Sequence, residues 1–223
     1  MFSSRTPVRV LIQDEDYMKS QETDHIHGYY LFHSKIYDLT RWSFLFGRSA
    51  AVKAIPKSIN EPLQILEVGC GTGTNTLRML KRFPMAHITA LDLSPEMMKI
   101  AKKKLEAYSH RVTFLEKVYG DTQQFDRKFD VVFMSYMLTM LRQGHPKLIE
   151  QASKDLAQNG VLCIADFENT NCDLYYRLMN SQNVQVEGQL LPLLDKNFTA
   201  IVRKIRKAYF GVWTYLVYVG TPK

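Results

Sequence analysis

Apolar positions fall into two kinds of run that succeed one another along most of the chain. Short stretches at Ile65–Val68, His87–Leu91, Val112–Leu115, Phe129–Met134 and Val161–Ala165 read as strands. The uninterrupted one, Phe129–Met134, is the pattern of a central strand buried on both faces of a parallel sheet. Between the strands, Thr74–Phe83 takes helical spacing through Leu77, Leu80 and Phe83, and Pro95–Tyr108 and Pro146–Leu156 follow suit. The Asn159-Gly160 pair predicts a left-handed cap ending the last of these helices. Beyond it, Cys172–Met179 predicts a helix, followed by an insertion containing Pro192. Phe198–Phe210 and Val212–Val219 flank Gly211 as an antiparallel hairpin closing one sheet edge. Ahead of the strands, Met1–Gln21 is a polar arm with a short extended piece at Val8–Ile12. Seven aromatics occupy the eighteen positions from Tyr29 to Phe46, predicting two helices at 24–40 and 44–56 broken around Gly47. The organisation is one structural domain in two parts: an arm and helical lid at 1–56 and a core at 57–223.

The stretch that organises the core runs from Gln64 to Met79: strand, glycine turn, helix. Its spacing is Glu67-x-Gly69-x-Gly71-x-Gly73. Glycines belong where the backbone turns sharply and a ligand comes closer than a Cβ allows. A dinucleotide fingerprint places its third glycine inside the helix, so that pyrophosphate lies on the helix start. Here the turn begins with a carboxylate, which repels phosphate and suits a cationic or zwitterionic ligand. The second strand ends in Asp92, nineteen residues past Gly73. That is where a ribose diol is held by paired hydrogen bonds. Ser94 and Pro95 then supply an N-cap and a first helical position.

These residues resemble the first motif of class I S-adenosylmethionine-dependent methyltransferases, an acidic residue followed by G-x-G-x-G. The resemblance implies a Rossmann-like α/β fold, a mainly parallel seven-stranded sheet flanked by helices, with an N-terminal helical lid. It implies S-adenosyl-L-methionine as cofactor, S-adenosyl-L-homocysteine as product, and no metal. It assigns the cofactor to Tyr30, Glu67, Gly69, Cys70, Gly71, Gly73, Asp92, Leu93, Met97, Gly120, Asp121, Thr122 and Ser135, with Asp121 accepting the adenine amino group. A narrower resemblance follows from His33-Ser-Lys-Ile-Tyr-Asp-Leu-Thr-Arg-Trp-Ser-Phe-Leu-Phe-Gly-Arg48. This stretch is similar to bacterial betaine-lipid (diacylglyceryl-homoserine) N-methyltransferases and to their phosphatidylethanolamine N-methyltransferase kin. Phe133-Met-Ser-Tyr-Met-Leu-Thr-Met140 and Ile164-Ala-Asp-Phe167 agree with it. Two departures fall on the acceptor side: Leu141-Arg142-Gln143 replaces an expected Pro-x-Trp, and Glu168 replaces a glycine. The general resemblance spans about residues 25–170, and its lipid-specific part rests on 33–48.

Composition changes this picture in one respect. Apolar content of 46% and charged content of 23% are globular values, but the net charge is +7. Such a balance favours anionic partners. No RNA- or DNA-binding signature is present, so the expected partner is an aminolipid or small-molecule acceptor, with transient contact to an anionic membrane surface and no nucleic acid. Arg203, Lys204, Arg206 and Lys207 sit together in the final hairpin. They read either as edge-strand protection or as contacts to lipid headgroups. Cys70, Cys163 and Cys172 form neither a disulfide framework nor a zinc spacing. No uncharged run reaches the ~20 residues that span a bilayer, and the reading is cytoplasmic, at most peripheral to the inner membrane face.

Methyl transfer from a sulfonium is an in-line displacement, so the enzyme's task is to align donor and acceptor and exclude water. Aromatic faces stabilise the growing cation of a methylated amine; Tyr30, Tyr37 and Tyr136 are the candidates. His33 and Asp166 are candidate acceptors of the amine proton. Tyr37, His33, Tyr136 and Asp166 thus form the expected catalytic set, and His25-x-His27 reads as a solvated pair. The preferred activity is N-methylation of a homoserine- or ethanolamine-type lipid headgroup. Two alternatives stand: a methyltransferase for a soluble small molecule or quinone, and a non-catalytic S-adenosylmethionine-binding partner subunit.

Overall fold

Among the described residues, seven strands make one sheet in the order β3-β2-β1-β4-β5-β7-β6. In this computed structural model the described residues are 45–120, 125–141 and 145–223, and all of them fall within one compact unit. They give α1 (Arg48–Ala54), β1 (Gln64–Val68), α2 (Thr74–Arg82), β2 (His87–Asp92) and α3 (Pro95–Lys104). Then come β3 (Val112–Glu116), β4 (Phe129–Ser135), α4 (His145–Asp155), β5 (Leu156–Asn169), α5 (Asp173–Ser181), α6 (Leu190–Asn197), β6 (Phe198–Ala208) and β7 (Trp213–Pro222).

β1 to β5 run parallel, and β7 enters antiparallel between β5 and β6. One apolar layer covers each sheet face, which is why the central strands carry almost no polar positions. Ile65, Val131, Cys163 and Val219 pack with Met79 and Leu80 of α2, with Phe83 just after it, and with Ala51 and Val52 of α1. Leu66, Val132, Ile164 and Leu216 pack on the other face with Ile149 of α4 and Leu194 of α6. Glu67, facing α2, is the exception in β1 and is buried.

The strand order sets which ends meet. The carboxyl ends of β1, β2, β4 and β5 share one rim, the position of ligands in open α/β sheets. Because β7 starts opposite Asn169, the turn Tyr209–Gly211 between β6 and β7 rises from that same rim.

The sequence expectation for Gly160 fails here. Gly160 caps no helix: β5 begins directly at Leu156, and Gly160 lies inside it without a left-handed φ. A Cβ there would meet the Phe129 carbonyl at 2.7 Å, so the glycine serves close strand approach beside the register shift between Phe129 and Val131. The insertion containing Pro192 carries α6, with Pro192 in its first turn, where a missing N–H costs nothing. The 24–40 helix lies outside the described residues. Gly47, with φ 81°, is the N-cap of α1, and the helix expected at 44–56 is confined to Arg48–Ala54.

Candidate functional site

The turn between β1 and α2 is held open by its glycines. Gly69, Gly71 and Gly73 have φ of 72°, 53° and 75°, a region costly for residues with a Cβ. The Gly69 and Cys70 N–H groups donate to the Leu91 carbonyl at 2.8 and 2.9 Å, hanging the turn on the end of β2. At Gly71 no atom lies within 4 Å of where a Cβ would stand, so this side admits a ligand. At Gly73 a Cβ would sit 2.9 Å from Leu105 Cδ1 and 3.1 Å from Ala101 Cβ. Gly73→Ala is therefore expected to lower stability by about 3 kcal/mol, strain and overpacking together, read as a lower denaturant midpoint. A shift under about 0.5 kcal/mol, the ordinary surface value, would contradict this packing.

Two carboxylates flank the turn. Asp92 is buried; its Oδ2 accepts the Gly71 N–H at 2.7 Å and its Oδ1 the Ser94 N–H at 3.0 Å. Burial raises its pKa, and those backbone bonds oppose the rise. Glu67 lies beneath the turn, its Oε2 accepting the Thr76 hydroxyl at 2.5 Å. Its Oε1 is buried with no hydrogen-bond partner among the described residues. Desolvation lifts its pKa to about 8, with Asp92 adding repulsion and Arg48 and Arg78 opposing it.

These features fit S-adenosylmethionine. The open face at Gly71 admits close approach, the Asp92 carboxylate matches a diol, and the orphaned Glu67 oxygen matches a cationic group nearby. Met97 is fully buried in α3 and Leu93 half-buried. The Cys70 thiol points inward against Met98 Sδ at 3.7 Å, and burial pushes its pKa up. Gly120 takes φ 85° after β3. Tyr30, His33, Tyr37, Asp121 and Thr122 lie outside the described residues.

The acceptor side is built at the ends of β4 and β5. Ser135 is half-buried beside Ala165. Tyr136 has φ 53°, an uncommon value for a tyrosine and the kind of outlier that gathers at sites. Its ring meets Phe167 edge-on at 4.7 Å, and its hydroxyl donates to the Phe46 carbonyl at 2.6 Å. Tyr136 therefore offers a ring edge and wall rather than a free hydroxyl. Asp166 is fully buried. Its Oδ1 accepts from the Thr139 hydroxyl at 2.5 Å and the Phe167 N–H at 2.8 Å, and its Oδ2 from the Leu138 N–H at 3.1 Å. Desolvation raises its pKa to about 6 against those bonds. Asp166 thus staples the turn after β4 to β5 and is a positioning residue in this arrangement.

Sequence reasoning missed Glu168 as a site residue. It stands two residues beyond Asp166 on the same strand face, is buried, and its Oε2 has no partner among the described residues. It lines a small cavity with Thr139, His145, Gln185 and Glu187. Desolvation and the charge of Asp166 push its pKa to about 7. Its strand spacing from Asp166 was the available signal. None of Glu67, Asp92, Asp166 and Glu168 is ion-paired among the described residues; Arg48 and Arg78 act on Glu67, and Arg203 on Glu168, through their charges alone.

Residues 65–160 match the family described as methyltransferase domain. In structure the chain is similar to the Burkholderia thailandensis 1,6-didemethyltoxoflavin-N1-methyltransferase, solved with S-adenosylhomocysteine. The TM-score is 0.69 at 16% identity, covering 100% of this chain and 93% of that one. The stretch matched by the methyltransferase-domain family thus sits in a sheet with the fold of class I methyltransferases. Among curated proteins, the malonyl-[acyl-carrier protein] O-methyltransferase of Halalkalibacterium halodurans is 31% identical over 143 residues, 61% of this chain and 49% of that one. The demethylmenaquinone methyltransferase of Porphyromonas gingivalis is 25% identical over 175 residues, 69% of each chain. The chain spans about half or less of the first curated relatives it matches. The methyltransferase core thus agrees with the motif reading, while none of these three matches names a lipid headgroup.

Proposed function

We propose that this chain transfers the methyl group of S-adenosylmethionine to the nitrogen of a lipid headgroup amine of homoserine or ethanolamine type. The observation that carries the acceptor class is a rim of buried carboxylates and aromatic rings. Glu67 and Asp92 are buried there without an ion pair among the described residues, Arg48 and Arg78 acting on Glu67 only through their charges, and Tyr136 and Phe167 pack ring against ring in the apolar layer on Glu67's face of the sheet. A carboxylate acceptor such as the malonyl group named in one relative would be repelled there; an amine that becomes cationic would be stabilised. In the step, the nitrogen lone pair attacks the methyl carbon as the carbon–sulfur bond breaks, its electrons passing to sulfur. A primary or secondary amine afterwards loses a proton, and Glu168, with a pKa near neutrality, suits its acceptance. The lipid part of the reading rests on the likeness at 33–48.

Methyl transfer from labelled S-adenosylmethionine into a lipid extract, with products separated by headgroup, tests this. Label in a zwitterionic aminolipid supports it. Label only in soluble products would retain a methyltransferase and favour the second reading, a small molecule or quinone, toward which the named relatives lean. Tight cofactor binding with no label anywhere would move the chain to a non-catalytic partner. Glu168→Gln is expected to raise KM for the amine acceptor about tenfold or more, the loss of one charge-assisted hydrogen bond, with cofactor affinity unchanged. An unchanged KM would remove Glu168 from acceptor recognition.

A further inference from the structure

At the tip between β6 and β7, two consecutive residues without glycine's freedom take left-handed backbone. Tyr209 has φ 46° and Phe210 φ 58°. The result is a phenylalanine held fully in solvent, with 110% relative exposure. It is not isolated. Leu174 and Leu178, four residues apart on one face of α5, are 79% and 51% exposed. Between them Tyr175 stacks on Trp213 at 4.7 Å, and Trp213 packs on Tyr209 at 4.8 Å, so α5 and the tip form one surface. Exposed apolar residues gathered in this way mark an interaction site. Exposed cations flank them: Lys204, Arg206 and Lys207 on β6 and Arg177 on α5. Lys207 reaches back to the tip, its Cδ 3.6 Å from where a Gly211 Cβ would stand. Of the acidic residues on α5 and the segment after it, Asp173 lies at the start of the helix, and Glu187 is engaged by Tyr176 and Gln189.

We propose that this surface, Tyr209–Phe210 with Leu174 and Leu178, docks on an anionic bilayer. The occupant follows from three features. The tip projects outward, which suits insertion among headgroups rather than a partner's ridge. Its basic border complements an anionic surface. A second copy on the same patch would set that basic strand against itself, which like charges oppose. Position gives the docking its use: the tip rises from the rim that carries the site, and Phe46, whose carbonyl holds the Tyr136 hydroxyl, packs edge-on against Tyr209 at 5.5 Å. Docking there presents the acceptor side to headgroups. This inference rests on the aminolipid reading for its purpose, and its test is separable from that reading.

The full chain is sedimented with phosphatidylcholine vesicles, with and without phosphatidylglycerol, at low and high salt. Binding is expected only with phosphatidylglycerol and is expected to fall with salt. Phe210→Ser and the double variant Leu174→Ser/Leu178→Ser should each lower the partition about tenfold while cofactor affinity stays at the wild-type value. Lys204→Glu/Lys207→Glu should abolish the dependence on phosphatidylglycerol. Wild-type protein remaining in the supernatant at low salt, or Phe210→Ser pelleting like wild type, overturns the proposal. A dimer in sedimentation velocity that Phe210→Ser dissolves would give the patch to a second copy and also overturn it. Vesicle binding without lipid methylation would leave docking standing and remove the headgroup reading; methylation of detergent-dispersed lipid without vesicle binding would do the reverse.

Discussion

Replacing Asp92 with alanine is expected to weaken S-adenosylmethionine binding about a hundredfold, the loss of two charge-assisted hydrogen bonds to the ribose at roughly 1.5 kcal/mol each. Part of the effect would arise indirectly, because the same carboxylate accepts the Gly71 N–H at 2.7 Å and fixes the turn. Two companions separate the contributions. Asp92→Asn keeps the volume and one acceptor oxygen, so its loss should be intermediate. Ser94→Ala removes the cap that accepts the Met97 N–H at 3.3 Å, which should cost about 1 kcal/mol of stability with cofactor affinity unchanged. Calorimetric titration of the three variants reads this directly. Wild-type affinity in Asp92→Ala would remove the ribose assignment.

The parts of the site legible in the sequence are those whose physics is local. Gly69, Gly71 and Gly73 announce a turn because each needs φ near 50–75°, and Asp92 announces itself by following a buried strand. On the acceptor side Tyr136 and Asp166 were named from the sequence, but their contacts were hidden because they are remote. Tyr136 and Phe46, joined by a 2.6 Å hydrogen bond, lie ninety positions apart. The backbone bond from Gln185 to the Thr139 carbonyl brings the residues around Glu168 together across β5. No periodicity within β5 could report either. Misreadings have the same origin. Asn159-Gly160 carries the local signature of a helix cap, but crowding against Phe129 of the neighbouring strand decides what Gly160 is for. The final hairpin was legible from Gly211 and its flanks. That its tip holds Phe210 in solvent was not, since exposure depends on what fails to cover a residue.

Glu67 yields the second large effect, in which stability and function pull apart. Its carboxyl is buried beneath the glycine turn, satisfied at one oxygen by Thr76 and unsatisfied at the other. The folded pKa of about 8 stands above the ordinary 4.5, so between these values the folded chain holds a proton that the unfolded chain has released. Stability from this group is therefore full below pH 4.5 and declines as pH rises toward 8. Linkage makes the loss between pH 5 and 8 on the order of 3 kcal/mol. Asp166 and Glu168, raised to about 6 and about 7, tilt the curve the same way over narrower windows. Glu67→Gln should accordingly raise the denaturant midpoint at pH 8 and flatten the curve, leaving the residual slope of the other two. Cofactor binding should move oppositely. A cationic ligand favours ionised Glu67, so wild-type affinity should rise with pH from 6 to 8, by at most tenfold per unit, and level off above. In Glu67→Gln the affinity should be weaker at pH 8 and flat with pH across that window. A variant stabilised at pH 8 yet binding as wild type would make Glu67 a structural burden without a part in the site. A variant with neither change would place the ionisation outside the range that matters.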